Sequence, residues 1–371
     1  MTDTPKADAG PSDVAQQLSQ AISDVFAVEE TTTGVGAGRQ GIRFGGQLLT
    51  DPARAYEQIA ARFKQYGYTP AMRRAEERIL ITALPVLFSA KPTHDVAAIV
   101  LFAATVLSVL FAAAAAEAPD LQWILRHPLA GLPFAAGLLS ILVAHEFGHY
   151  FMARRLGVAA SLPYFIPMPI SPFGTMGAVI RTRSPMRNRR HLLAVGAAGP
   201  VAGLVVAIPA LLVGLALSQV KPIPLQEGII IEGNSLLYAA FKLLMFGQLL
   251  PRNGYDVFLH PLAFAAWAGL LVTMLNLIPA GQLDGGHIAY ALLGERARWL
   301  NRLAVFAALG LGLLWEGWLL WAALLLFLGQ RSAEPLDDVT SLTPGQRAFA
   351  AAMLILFVLL FTPIPMTVIA P

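Results

Sequence analysis

GLPFAAGLLSILVAHEFGHY, residues 131–150, is the stretch on which the fold and the chemistry both turn. Its first fourteen residues, Gly131–Ala144, carry no charge. A helix needs about 20 apolar residues to cross a bilayer, so Gly131–Phe151 reads as a membrane span. At its end stand His145, Glu146 and His149. Residues four apart on a helix share one face, about 6 Å apart along the axis. Both imidazoles therefore reach a single metal ion, and Glu146 beside them can take a proton from water. Ionisable groups inside an apolar span are costly and mark a functional site by default. A capped helix end with surface His and Glu is the competing explanation, and the long uncharged approach speaks against it.

Working outward, the composition agrees with a membrane chain. Of 371 residues, 56% are hydrophobic and 13% charged, where an average soluble domain has about 25% charged. Ala97–Ala116, Leu192–Leu217 and Pro261–Pro279 read as further spans. Leu303–Leu328 is apolar but holds Trp315-Glu316-Gly317-Trp318 near its middle. A Glu in mid-span costs about 2 kcal/mol or more, so two short helices joined at an interfacial Trp-rich turn fit better than one span. Ala348–Phe361 begins the last span. Ser235–Leu250, interrupted by Lys242 and Gln248, reads as an interfacial helix. The expected fold is an α-helical polytopic membrane protein with six to seven transmembrane helices over residues 95–367.

Residues 1–37 are rich in Ala, Asp, Thr and Gly and are expected to form a flexible tail. Met1–Ser19 has no apolar core, so no secretory signal is expected there. Residues 38–92 read as a small soluble α+β domain. Gly41–Leu49 is a strand candidate, Asp51–Gly67 a helix with Pro52 in its first turn, and Glu77–Val86 a β-branched, apolar strand.

The loop from Arg154 to Arg190 contains Arg154, Arg155, Arg181, Arg183, Arg187, Arg189 and Arg190 and no acid. By the positive-inside rule the loops after the second and fourth spans face the cytoplasm, and the N-terminal domain with them. That predicts a multi-pass protein of the cell membrane with its site towards the cytoplasmic side. Arginine runs also bind nucleic acid, but this one lies between spans, so no nucleic-acid partner is expected. Cysteine is absent from the sequence, so any metal must be held by His, Asp or Glu.

Two His do not complete a catalytic metal site, which takes three protein ligands and leaves one position open. The fourth span ends NLIPAGQLDGGH, residues 276–287. Asp284 lies just past the apolar run, at the same membrane depth as the first motif. Asp284 can equally be a turn residue before Gly285-Gly286, and His287 is a rival ligand.

AHEFGH on one span and NLIPAGQLDGGH on a later one, about 130 residues on, together resemble the site-2 protease family of intramembrane zinc metalloproteases. Phe173–Ile180 (FGTMGAVI) and Gly196–Pro200 (GAAGP) are similar to further segments of that family. The likeness covers roughly residues 95–365 and is nearest to prokaryotic and plastid members without a PDZ domain. It implies Zn2+ as cofactor, with His145, His149 and Asp284 as ligands, which ranks His287 below Asp284. It makes Glu146 the catalytic base and gives Asn276 a substrate- or oxyanion-binding role. It implies hydrolysis of peptide bonds in or near transmembrane segments of membrane-anchored substrates, that is, regulated intramembrane proteolysis.

A transmembrane substrate hides its carbonyls in helical hydrogen bonds and must be extended before cleavage. Gly174–Ile180, including Gly174 and Gly177, ends in β-prone residues and can offer an edge for strand addition. Leu162–Pro172, with Pro163, Pro167, Pro169 and Pro172, cannot be a regular helix. The expected partners are a transmembrane protein substrate and membrane lipid; oligomeric state is not legible in the sequence. The rival functions are a metal-ion transporter and an inactive membrane scaffold that keeps the motifs. A transit site has no use for a base beside its two His, which disfavours the first.

Overall fold

The computed structural model describes residues 11–36, 40–88, 95–182, 184–223, 230–329 and 334–368. Arg183, the first ten residues of the expected tail and its last, Ala37, lie outside them. The chain forms two compact units, Met1–Lys91 with Arg183–Leu192 and Glu334–Gln346, and the remainder.

In the first unit α1 spans Pro11–Ile22, β1 Phe26–Val35, β2 Gly41–Leu48, α2 Pro52–Gln65, β3 Thr69–Ala75 and β4 Arg78–Leu84. Residues 11–35, expected to be a flexible tail, are instead helix and strand. Leu18, Ile22 and Phe26 lie in the core with Ile42, Phe44, Ile59, Phe63 and Ile81, and that apolar burial offsets the ordering entropy of a polar segment. Asp51 caps α2, its Oδ1 accepting from the amides of Ala53 (3.0 Å) and Arg54 (3.2 Å), while Pro52 takes the first turn, where its missing N–H is harmless. The antiparallel sheet runs β1-β2-β4-β3.

The sheet does not end at β3. The Met72 amide donates to Leu336 O (2.7 Å) and the Asp338 amide to Met72 O (3.0 Å). Beyond them, Leu336 and Asp337 amides donate to Met186 O (2.8 Å) and Arg187 O (2.7 Å). Arg189 grips Asp338 through two hydrogen bonds, 2.8 and 3.0 Å, the planar fork that suits Arg and carboxylate. Asp337 is fully buried; burial holds its carboxyl above the usual carboxylate range, against the Thr340 and Val339 amides that its Oδ1 accepts. The first compact unit thus extends beyond residues 38–92. It starts earlier and is completed by two segments from far along the chain.

In the second unit α3 spans Val96–Glu117, α4 Leu121–Arg126, α5 Leu132–Arg155, β5 Tyr164–Pro167, β6 Thr175–Val179 and α6 Arg189–Ala216. Then follow β7 (Gln219–Pro222), β8 (Ile230–Glu232), α7 (Leu236–Phe246), β9 (Tyr255–Phe258), α8 (Pro261–Asn276) and α9 (Asp284–Leu293). The last are α10 (Ala297–Leu311), α11 (Gly317–Leu328), α12 (Pro344–Leu360) and β10 (Met366–Val368). Helices α3, α5 and α6 are long and apolar enough to cross a membrane. Helices α7, α8, α11 and α12 are apolar but shorter, so helix length supports three of the six to seven expected spans. The 303–328 stretch is broken as its Trp-Glu-Gly-Trp turn suggested. Asn301 Nδ2 near the start of α10 donates to Gly329 O at the end of α11 (3.2 Å), so the two helices fold back on each other. Ser235 caps α7 through the Tyr238 amide, 3.1 Å.

Between α6 and α8, Lys242 is fully buried with Glu232 at 2.9 Å and Asp256 at 3.3 Å. Tyr238 adds a hydrogen bond to Glu232, 3.0 Å. An ammonium taken out of water needs such partners, and these tie α7 to β8 and β9.

Candidate metal centre

The first pair of donors comes from helix geometry alone. On α5, His145 and His149 present their Nε2 atoms 3.2 Å apart. Asp284, the first residue of α9, places Oδ2 3.3 Å from His145 Nε2 and 3.2 Å from His149 Nε2. Bonds of about 2.0–2.2 Å to a tetrahedral ion separate neighbouring ligand atoms by roughly 3.3–3.5 Å. The observed triangle matches the short end of that range, so the donor set fits a tetrahedral cation with its fourth position open. Among the described residues this is the one group of three or more His, Cys, Asp or Glu side chains close enough to share an ion. His287, the rival, stands outside it. Its buried Nδ1 has no hydrogen-bond partner among the described residues.

Asp284 arrives there because the chain turns sharply after α8. A Cβ on Gly285 would lie 2.0 Å from Leu277 O, and one on Gly286 2.4 Å from Gly281 O. Only glycines let the 277–283 turn pack against the start of α9. At the end of α8, Asn276 Nδ2 lies 3.3 Å from His145 Nε2, so its amide borders the donor triangle. Glu146 follows His145 on α5 and is 7% exposed, against 3% for His145.

His149 Nδ1 lies 2.8 Å from Val195 O on α6. A carbonyl only accepts, so Nδ1 carries the proton and Nε2 turns its lone pair to the centre, the usual outer-shell device for a ligating His. Sequence reading did not find Val195, because a backbone carbonyl leaves no residue signature. The small residues Gly196–Gly199 were the available hint that α6 approaches closely.

The two glycines expected to bind substrate lie in the β5–β6 hairpin. Gly174 closes the β5–β6 hairpin at φ +71°, and a Cβ there would lie 2.5 Å from Val109 Cα. Ser108 of α3 donates to Gly174 O, 2.6 Å, locking the hairpin onto that helix. Gly177 lies within β6 at φ +90° with open space around it. β6 pairs with β5 on one edge and packs beside α5, the helix of the two His. Its other edge carries no strand among the described residues, and Met176 and Val179 are exposed.

Comparison with known proteins bears on the whole chain. Residues 133–314 match the family model described as Peptidase family M50. The chain is 30% identical over 344 residues to the probable zinc metalloprotease EGY2, chloroplastic, of Arabidopsis thaliana, covering 88% of this chain and 60% of that protein. It is 29% identical to the protein of the same name from Oryza sativa subsp. indica, with 88% and 62% covered. It is 34% identical over 260 residues to the probable zinc metalloprotease EGY1, chloroplastic, of Arabidopsis thaliana, with 67% and 46% covered. The chain thus spans about 60% of the length of the first two relatives. No solved structure matches.

Proposed function

Because residues 133–314 of this chain match the model of peptidase family M50, we propose that it is a zinc metalloendopeptidase that hydrolyses peptide bonds in or near transmembrane segments of membrane-anchored proteins. The observation that carries this reading is the His145–His149–Asp284 triangle with Glu146 next to it in the chain. When bound there, zinc supplies a Lewis acid that acidifies water and polarises the scissile carbonyl. The residues of the chain do the rest. Glu146 takes the proton of the attacking water and delivers it to the departing amine. The Asn276 amide donates to the substrate backbone or to the oxyanion as charge develops. Asp284 leaves the loaded centre with a net positive charge, which favours that oxyanion. The free edge of β6 accepts the unwound substrate as an added strand, with Gly174 setting the hairpin and Gly177 bending its edge. Substrate and lipid are the partners; nucleic acid is not.

Connectivity supports an odd number of spans, five or seven, rather than six. The soluble unit takes in Arg183–Leu192 and Glu334–Gln346, so the chain returns to one side of the membrane at each. α3 and α5 make one return, α6 and α8 the next, and the α10–α11 hairpin adds two crossings or none. With α12 the total is odd. The arginine-rich 154–190 loop puts that side in the cytoplasm. The absence of cysteine makes this testable by labelling. Glu316→Cys, in the turn between α10 and α11, is expected to react from the same side as Arg252→Cys and the opposite side to Glu77→Cys. Reaction of Glu316→Cys from the Glu77 side would leave five spans.

The activity is tested by reconstituting the protein with a single-span substrate in lipid. Cleavage within or beside the span is expected to stop on chelation and return on adding zinc. Cleavage that continues in the chelated protein would remove the metalloprotease reading.

A further inference from the structure

The proposed ligands are held by more than their own helix. His149 lies against α6, and one glycine of α6 occupies the place where a side chain would strike the ring. A Cβ built on Gly199 would lie 2.0 Å from His149 Nε2, 2.3 Å from Cδ2 and 2.6 Å from Cε1. Those are separations that real atoms do not adopt, and the atom most affected is the one aimed at the donor triangle. One helical turn earlier, Val195 O holds the other end of the same ring through Nδ1, 2.8 Å away. The ring is therefore gripped at Nδ1 and given clearance at Nε2 by residues 195 and 199, which share one face of α6. The neighbouring imidazole has more room: a Cβ on Gly203 would lie 3.3 Å from His145 Nδ1.

We propose that Gly199 is a positioning residue of the metal centre, whose missing side chain sets the rotamer of His149 and so the affinity and geometry of the bound ion. The inference rests on the reading of His145, His149 and Asp284 as zinc ligands. Gly199 touches no substrate and carries no chemistry. It acts through His149 alone, because Val195 O and the crowding at Nε2 leave the ring one orientation that completes the triangle. A methyl at 199 displaces Nε2 and breaks either the triangle or the Val195 hydrogen bond. Outer-shell groups of this kind change metal affinity by about 10–100-fold.

The test uses the full-length protein in detergent. Zinc affinity is measured by competition with a chromogenic chelator, and ligand geometry by the visible absorption of the Co2+-substituted protein. Gly199→Ala is expected to weaken zinc by about 100-fold and to dim and shift the Co2+ bands. Gly203→Ala, with its looser contact, is expected to lose only a few-fold. Gly214→Ala is the control for simple crowding: on the same helix, its Cβ would lie 2.4 Å from Ala263 N, at the far end from the site. It is expected to lower thermal stability and leave the Co2+ spectrum intact. Equal zinc loss in Gly199→Ala and Gly214→Ala, or wild-type zinc binding in Gly199→Ala, overturns the proposal. Should Gly199→Ala fail to accumulate, the His149→Ala background decides. There the colliding ring is gone, so adding Gly199→Ala is expected to leave yield and melting temperature unchanged; continued failure to accumulate overturns the proposal. If the wild-type protein itself binds no zinc, the ligand reading fails, and that result is distinct from all of these.

Discussion

Glu146→Gln is expected to lower the cleavage rate by about 10²–10⁴-fold, the range that a positioned general base contributes, while leaving zinc content unchanged. The amide has nearly the shape of the carboxylate, and its oxygen can still accept a hydrogen bond from water. It cannot take the proton, which is the one task assigned to residue 146. Zinc is retained because the donor triangle is made by His145, His149 and Asp284. Replacing a buried carboxylate by a neutral amide also removes a desolvation cost, so lower protein stability is not the expected cause of any lost rate. The measurement is single-turnover cleavage of a reconstituted single-span substrate, with metal determined on the same sample. A variant that keeps its metal and still cleaves within tenfold of wild type assigns the base elsewhere.

Asp284→Ala, and separately His149→Ala, are expected to lose zinc and activity together. Each removes one corner of a triangle with sides of 3.2–3.3 Å, and a centre with two protein ligands does not hold a catalytic zinc. Loss of an outer-shell partner already costs about 10–100-fold in metal affinity, so loss of a ligand is expected to exceed about 100-fold. Asp284 carries a second share of the effect, since it is the anionic ligand of a site otherwise made of neutral imidazoles. Asp284→Asn, which keeps an oxygen donor but not the charge, is expected to fall between wild type and Asp284→Ala. Equilibrium dialysis against buffered zinc separates these outcomes. Undiminished zinc in Asp284→Ala would turn attention to His287, one turn further along α9.

Much of the membrane unit was legible because helix periods and apolar runs are local. The expected Ala97–Ala116 and Leu192–Leu217 lie within a few residues of α3 and α6. The strands were read less well. β3 was missed because Pro70, Arg73 and Arg74 interrupt any apolar alternation, although Met72 and Pro70 pair in register with Ile81 and Ala83 of β4. α1 and β1 look like a polar linker by their Ala-, Asp-, Thr- and Gly-rich composition, although Ala15, Leu18 and Ile22 recur at helical spacing and are buried with Val25 and Phe26. Strand pairing by residues 336–338 could not be found at all. Its hydrogen bonds join backbones far apart in the chain, Met72 with Leu336 and Asp338, and Met186 and Arg187 with Leu336 and Asp337, and backbone groups carry no sequence label.

The sequence alone determined that the chain is a membrane protein with His145, Glu146 and His149 at the end of an apolar span, because charge in an apolar run and fourfold helical spacing are readable one residue at a time. The residues themselves placed Asp284 and His287 side by side as candidates, and the resemblance to the site-2 protease family ranked Asp284 first. Tertiary structure supplied the arrangement. The Gly285-Gly286 turn against residues 277–281 swings Asp284, and not His287, to within 3.3 Å of both imidazoles. It also decided that α6 supplies the carbonyl of Val195 and the clearance of Gly199 to His149. Both are consequences of how closely two helices approach, a distance that packing sets and no single segment encodes.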